Sequence, residues 1–346
     1  MPTEADTVAA VLAAAAARHF GGPASIEKLA RESGGASRQT WSFDAVVKGE
    51  RHGLILRRDP PILSTAPPGD GPGKAGNERS TALDRATEFR VLAAAHKAGV
   101  RAPEPLFELK ASDGLGEAYV MRRIGGTAIA RKLLRDPPYA GARAKIAGQL
   151  GEIVARIHAV DVNTLPPLAH RQAADQIAGL RHLLDTLGQP QPVFELALSW
   201  LDRRKPKPVQ RPVLVHGDYR TGNYLADETG VTAILDWEGA HLGDPIEDLG
   251  WLCVKSWRFG AIDKPAGGFG SREELWSAYQ QAGGDKVDPV RAHWWEMFGT
   301  VRWGVICHTQ AWKHLSGAQK SMELASIGRR AVETEVDLLQ LLKSAA

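Results

Sequence analysis

Cysteine is nearly absent. Cys253 and Cys307, the two in 346 residues, lie far apart and outside any paired metal-ligand spacing. That fits a reducing compartment, with both thiols as small buried apolar groups. No apolar stretch approaches the length of a membrane span. The opening segment MPTEADTVAAVLAAAAARHF lacks the basic start of a secretion signal, since Glu4 and Asp6 stand there. Its alanine run is better suited to a helix than to an apolar signal core. Excess charge is missing too: the formal net charge is +3, and the arginines are dispersed rather than gathered into a stripe. Nucleic acid and membrane are therefore excluded as partners, and the chain is expected in the cytoplasm.

What is present is the composition of a soluble globular protein, 43% apolar and 24% charged. The length allows a large core in one two-lobed domain or two closely packed ones. After the amino-terminal helix, residues 25–60 read as three strands joined by GGAS and KGERHG. Residues 62–81 are rich in Pro, Gly, Ser and Thr and read as a mobile loop. A helix follows with Phe89, Leu92 and Ala93 on its apolar face, ending at Gly99. EAYVMRRIGG then reads as a buried strand leaving into a link. Beyond it, KIAGQLGEIVARIHAVD sets Ile146, Leu150, Ile153, Ile157 and Val160 on one helical face. Helices are also expected over Pro289–Leu315 and Ser321–Lys343. The division is a β-rich part, residues 1–123, and a larger helical part, residues 124–346.

Between the helices stands VLVHGDYRTGNYLADETGVTAILDWEG, residues 213–239. His216, Asp218, Asn223 and Asp236 are costly to bury in so apolar a segment without partners or a metal. NYLADETGVTAILDW has the pattern of a β-hairpin. With Thr229-Gly230 at its tip, Asn223 faces Asp236 and Leu225 faces Ile234. An amide oxygen and a carboxylate on one face suit a hard divalent ion such as Mg²⁺. Asp218, five residues before Asn223, is placed to accept or orient a hydroxyl proton, and phosphoryl transfer mostly needs positioning and charge neutralisation.

HGDYRTGN followed by ILDWE resembles the catalytic segment of the aminoglycoside phosphotransferase and choline kinase-like family. The resemblance extends from Ile26 to the last helix. It implies an α+β, bilobal protein kinase-like fold with a small β-rich amino-terminal lobe and a larger, mostly helical carboxy-terminal lobe. It further implies an ATP- and Mg²⁺-dependent enzyme that phosphorylates a hydroxyl of a small-molecule alcohol. Asp218 then matches the catalytic aspartate, Asn223 and Asp236 the metal ligands, and His216 the brace of the catalytic loop. Asp248 in GDPIEDLGW resembles the buried helix aspartate that ties that loop down. Gly34, Gly35 and Ser37 fall in the phosphate-covering loop. Arg57 falls where kinases carry the phosphate-binding lysine, with Glu88 as its helix partner. The segment 119–124, including Met121 and Arg123, falls at the hinge that offers backbone groups to adenine.

Other readings of the same residues stand beside these. The polar residues of 216–236 could be capping groups of a plain hairpin, Arg57 and Glu88 a surface ion pair, and Gly34-Gly35 an ordinary turn. Glu238 reads either as a metal or substrate ligand or as a local hydrogen-bonding group. His158 and the stripe Trp294, Phe298, Val301 and Val305 read as core, whereas Trp251, Trp257, Arg258, Trp303 and His308 are candidates for a cleft wall. Arg57 in place of lysine motivates a catalytically silent nucleotide-binding module, against which the intact Asp218, Asn223 and Asp236 argue. A protein kinase would need a peptide-docking segment, and only a short apolar stretch follows Asp236.

The acceptor is addressed by charge. From Ala240 onward there are 12 Lys and Arg against 13 Asp and Glu. That balance suits an apolar or anionic alcohol at least as well as a polycationic antibiotic. HGDYRTGNYL, GDPIEDLGW and WRFG look closest to the relatives associated with acyl-CoA dehydrogenases, which implies a hydroxylated acyl compound or another catabolic alcohol.

Overall fold

The computed structural model describes residues 3–32, 39–59 and 82–344. They fall into two units, with the main division between Gly125 and Gly126. The first begins with α1 (Glu4–Phe20), started by a reciprocal cap in which Thr3 Oγ1 accepts the Asp6 N–H and the Asp6 carboxylate accepts the Thr3 N–H. The helix ends at Gly21, whose left-handed φ of +74° suits a residue without a side chain. Its inner face of Val8, Leu12, Ala15 and Ala16 packs with Trp41, Phe43, Leu54 and Leu56 of the sheet. Each large apolar side chain so buried contributes about 1.5–3 kcal/mol.

The sheet comprises β1 (Ala24–Arg31), β2 (Gln39–Val47) and β3 (Glu50–Arg58), and, after α2 (Arg85–Lys97), β4 (Pro105–Glu108) and β5 (Ala118–Arg122). Its antiparallel order is β1-β2-β3-β5-β4. The β2–β3 hairpin turns through Lys48 and Gly49, both at positive φ, as a tight right-twisted hairpin requires. Gly34, Gly35 and Ser37, and the loop expected over 62–81, lie outside the described residues.

One expectation fails here. Leu92 is buried as expected, but the buried face of α2 is completed by Arg85, Glu88, Val91 and Ala95, and Phe89 and Ala93 are only half-buried. The helix is rotated because two of its charged residues turn inward and find partners there, which an apolar-periodicity reading cannot anticipate.

The second unit is mostly helical. In chain order it runs α3 (Ala130–Arg135), α4 (Ala140–His158), α5 (Ala173–Leu187) and α6 (Pro192–Arg203). Then come β6 (Val213–Val215), β7 (Tyr224–Asp227), β8 (Gly230–Ile234), β9 (His241–Gly243) and α7 (Ile246–Cys253). α8 (Arg272–Gln281), α9 (Pro289–Leu315), α10 (Met322–Gly328) and α11 (Ala331–Ser344) complete it. The strands pair as β6 with β9 and β7 with β8. α9 is the central member, packed by α5, α6, α7, α10 and α11. Trp294, Phe298, Val301 and Val305 are all buried core. The approach of α7 to α9 needs glycine: a Cβ on Gly250 would stand 2.7 Å from the Trp295 carbonyl carbon. The single helix expected over Ser321–Lys343 is broken after Gly328, a poor helix residue seated against Ala311 of α9. Among the described residues, no helix is long and apolar enough to cross a membrane.

Candidate active site

Residues 216–223 form the loop between β6 and β7, and its first half is tied down by hydrogen bonds. His216 is fully buried; its Nε2–H donates to the Leu235 carbonyl at 2.9 Å, and its Nδ1 accepts the Asp218 N–H at 3.2 Å. One ring nitrogen donating and one accepting defines a neutral imidazole. Burial pushes the His216 pKa below the ordinary histidine value, in agreement with that tautomer. Gly217 sits at φ +79°, and a Cβ there would meet the Gly239 carbonyl oxygen at 2.3 Å, so no other residue fits.

Asp248 of α7 anchors both residues from beneath. Its Oδ2 accepts the His216 N–H at 2.8 Å and its Oδ1 the Gly217 N–H at 3.0 Å. His158 of α4 braces this carboxylate, with Nε2 3.2 Å from Oδ2 and Nδ1 3.0 Å from the Tyr279 hydroxyl. Burial alone would raise the Asp248 carboxyl, but the His158 contact and the His216 amide hold it below the usual carboxylate range. His158 is thus more than packing: it supports the support.

Asp218 has both oxygens engaged. Oδ1 accepts the Trp251 indole N–H at 2.7 Å and the Arg220 Nε–H at 3.1 Å. Oδ2 accepts the Asn223 amide at 2.5 Å, and the same amide donates to the Asp218 carbonyl at 3.0 Å. The side chain keeps 27% of its surface exposed, so the carboxylate is fixed yet reachable. Guanidinium groups cover the neighbouring indoles: Arg220 lies 4.5 Å from the Trp257 ring centroid and Arg302 4.5 Å from that of Trp251. Arg302 Nη1 also donates to the Gly217 carbonyl at 2.8 Å.

Trp251, Arg220 and Arg302 were not legible as partners of Asp218 and the Gly217 carbonyl. A signal for Trp251 existed: it stands three residues after Asp248, one turn along the same face of α7.

The hairpin register differs from the expected one. Tyr224 faces Ile234, Leu225 faces Ala233 and Asp227 faces Gly230, with a bulge between Leu225 and Ala226. Asp227 accepts both the N–H and the hydroxyl of Thr229, which sets the tip at Glu228-Thr229, one residue earlier than supposed. The Leu235 N–H consequently bonds the Asn223 carbonyl at 2.8 Å, and Asn223 does not pair directly with Asp236. Asp236 then departs from strand geometry at φ +62°, so strand alternation no longer determines where its carboxylate points. A non-glycine residue held in this region marks local strain of the kind found at functional sites.

The donor set fits a hard cation. With the Asn223 Nδ2 committed to Asp218, its amide oxygen and the Asp236 carboxylate are the oxygen donors of this segment that a hard cation would take. Among the described residues no group of three His, Cys, Asp or Glu side chains suits a metal. An amide and a carboxylate that leave the remaining positions to phosphate oxygens and water match the habit of Mg²⁺.

In the first unit Arg57 and Glu88 meet, with Nε 3.7 Å from Oε1, and both are buried rather than on the surface. Glu88 is shared: Arg85 contacts Oε2, and the Tyr119 hydroxyl donates to Oε1 at 3.0 Å. Met121 lies in β5 opposite Ile55. The Arg123 N–H donates to the Gly53 carbonyl, and its guanidinium bonds Asp44 at 2.5 Å.

Comparison with known proteins gives four findings. A family model described as the phosphotransferase enzyme family matches residues 29–284. Mouse acyl-CoA dehydrogenase family member 10 is 30% identical over 181 residues, which is 48% of this chain but only 16% of that protein. The chain therefore corresponds to a small part of that relative. A crystal structure of a putative aminoglycoside phosphotransferase from Ralstonia eutropha aligns over 97% of this chain and 98% of its own, with a TM-score of 0.73 and 22% identity. Spectinomycin phosphotransferase, crystallised with ADP and spectinomycin, aligns over 98% of this chain and 100% of its own, with a TM-score of 0.63 and 14% identity. At these identities the structural likenesses establish the kinase-like phosphotransferase fold.

Proposed function

The chain belongs to the phosphotransferase enzyme family, and from that premise we propose that it moves the γ-phosphoryl group of ATP to a hydroxyl of a small molecule. The observation that carries this reading is the Asp218 carboxylate, clamped by Trp251, Arg220 and Asn223 while part of it faces solvent. A carboxylate so held orients an alcohol and takes its proton as the oxygen attacks. Asn223 and Asp236 would hold Mg²⁺, which when bound neutralises phosphate charge. His216 fixes the loop backbone. In the first unit Arg57, backed by Glu88, is assigned to the phosphates of the nucleotide, and the backbone near Met121 and Arg123 to adenine.

The acceptor we favour is a hydroxylated acyl compound or another apolar or anionic alcohol. The guanidinium and indole groups beside Asp218 offer a polycation little to bind, since Arg220 and Arg302 would repel it. The two buried thiols, pushed up to about 12 by desolvation, are inert and suit the cytoplasm.

The test is ADP release from Mg·ATP over a panel of aminoglycosides, sugars, choline-like amines, hydroxyacyl-CoA compounds and aromatic alcohols, with Asp218→Asn as blank. Turnover of one class, absent in the blank, is expected. Failure to bind ATP would overturn the assignment.

A further inference from the structure

A second feature of the helical unit lies apart from the groups holding Asp218. A hollow of about 230 Å³ opens between α3, the start of α4 and the loop 258–268. Arg135, Arg143 and Lys264 line it, and among the described residues no carboxylate does. Elsewhere among the described residues, arginines such as Arg51, Arg272 and Arg291 are matched to carboxylates. Here, among the described residues, neither Arg135 nor Lys264 has an ion-pair partner.

The hollow is also prearranged. Arg143 Nη1 donates to the carbonyls of Leu133 and Asp136, each at 2.9 Å, which fixes its guanidinium while leaving its other N–H groups available. Arg135 is laid against Gly260, its Nη2 4.0 Å from where a Cβ on that residue would stand. The loop carrying Lys264 is pinned from below by the buried Arg258, which bonds the carbonyls of Cys253 and Ile262 and the Glu296 carboxylate. Successive turns then close it: the Lys264 N–H bonds the Ala261 carbonyl at 3.0 Å, and the Gly268 N–H bonds the Lys264 carbonyl at 2.9 Å. At the rim Phe259 is held at φ +45° with 41% of its surface exposed. An aromatic residue kept in the left-handed region and facing solvent is costly unless it serves a contact.

We propose that this hollow binds a phosphate group or a comparable oxyanion, held by Arg135, Arg143 and Lys264 with Phe259 at its edge. Fixed guanidinium forks and a mobile ammonium are the groups that recognise such an anion. Liquid water takes about 30 Å³ per molecule, so the space holds one such group with a few waters and not a large ligand. The loop is joined to the Asp218 loop, because the Thr221 hydroxyl donates to the Gly267 carbonyl at 2.8 Å.

The test is calorimetric titration of the full chain with inorganic phosphate and, separately, with glycerol 3-phosphate, at constant ionic strength. Saturable one-to-one binding of inorganic phosphate is expected, with Kd raised about tenfold or more by Arg135→Ala or Lys264→Ala and unchanged by Lys205→Ala. Both pocket residues are exposed, so their loss should leave folding intact. Binding of both probes identifies a site for phosphate carried on a larger molecule; binding of inorganic phosphate alone identifies a free-ion site. Absence of saturable binding overturns the proposal, as does equal affinity in the Lys264→Ala and Lys205→Ala proteins. Neither result depends on kinase turnover.

Discussion

The indole N–H of Trp251 donates to Asp218 Oδ1 at 2.7 Å, while the face of the same ring carries the Arg302 guanidinium, which in turn bonds the Gly217 carbonyl. One side chain thus joins the carboxylate proposed for catalysis to the backbone that presents it. Trp251→Phe keeps an aromatic ring at this place, a smaller one, and removes the donor. A hydrogen bond to a charged group is worth about 1.5–3 kcal/mol, so kcat should fall about ten- to hundredfold. The KM for ATP should stay near that of the unaltered protein. Steady-state kinetics checks it: comparable losses in Trp251→Phe and Trp251→Ala identify the N–H, whereas a kcat kept in Trp251→Phe and lost only in Trp251→Ala would point to packing.

Glu88 is the shared counter-charge of Arg57 and Arg85 in a buried setting. Glu88→Gln removes the buried carboxylate that both guanidinium groups share, leaving Arg85 its longer contact to Asp59, and breaking a buried pair in this way costs about 3–5 kcal/mol. Urea unfolding should show a loss of that order. A loss below about 1 kcal/mol would place the cluster with weak surface pairs.

Gly217→Ala is expected to abolish turnover while leaving most of the protein folded. The added Cβ would meet backbone, the Gly239 carbonyl oxygen at 2.3 Å, and φ is +79° besides. Relief requires moving the very segment that Asp248 secures. Native circular dichroism together with a kinetic assay separates this outcome from global unfolding.

How much of this was readable beforehand depends on separation along the chain. His216, Asp218 and Asn223 fall within eight residues, so a loop between two short strands gathers them almost by connectivity alone. The core face of α4 was readable for the same reason, because Ile146, Leu150, Ile153 and Ile157 repeat at helical spacing and are buried. Trp251 and Arg302 reach the loop from two separate helices, His158 braces Asp248 from a third, and nothing local announces that meeting. The hairpin register was lost through one side chain, Asp227, whose bonds to Thr229 move the tip by a residue. In α2 the apolar pattern misled because Arg85 and Glu88 hide inside with each other.

His216 gives stability a definite pH dependence. Burial keeps its pKa below the ordinary value of about 6.5 that the unfolded chain restores. Between the two values the unfolded state binds more protons, so stability rises with pH. The contribution is complete above about pH 6.5 and is lost as pH falls through the window toward the folded value. Asp248, also depressed, acts with the same sign in the carboxylate range: its contribution is present above about pH 3.9 and lost below. Burial shifts His19, His293 and His308 in the same direction as His216, so the unaltered protein alone does not isolate one group. Comparison with His216→Gln does, because the amide can still donate to the Leu235 carbonyl but does not titrate. Melting temperature should fall on acidification from about pH 7 to 5 in both proteins, and less steeply in His216→Gln. Parallel slopes would mean that His216 takes up its proton in the folded state as readily as in the unfolded one.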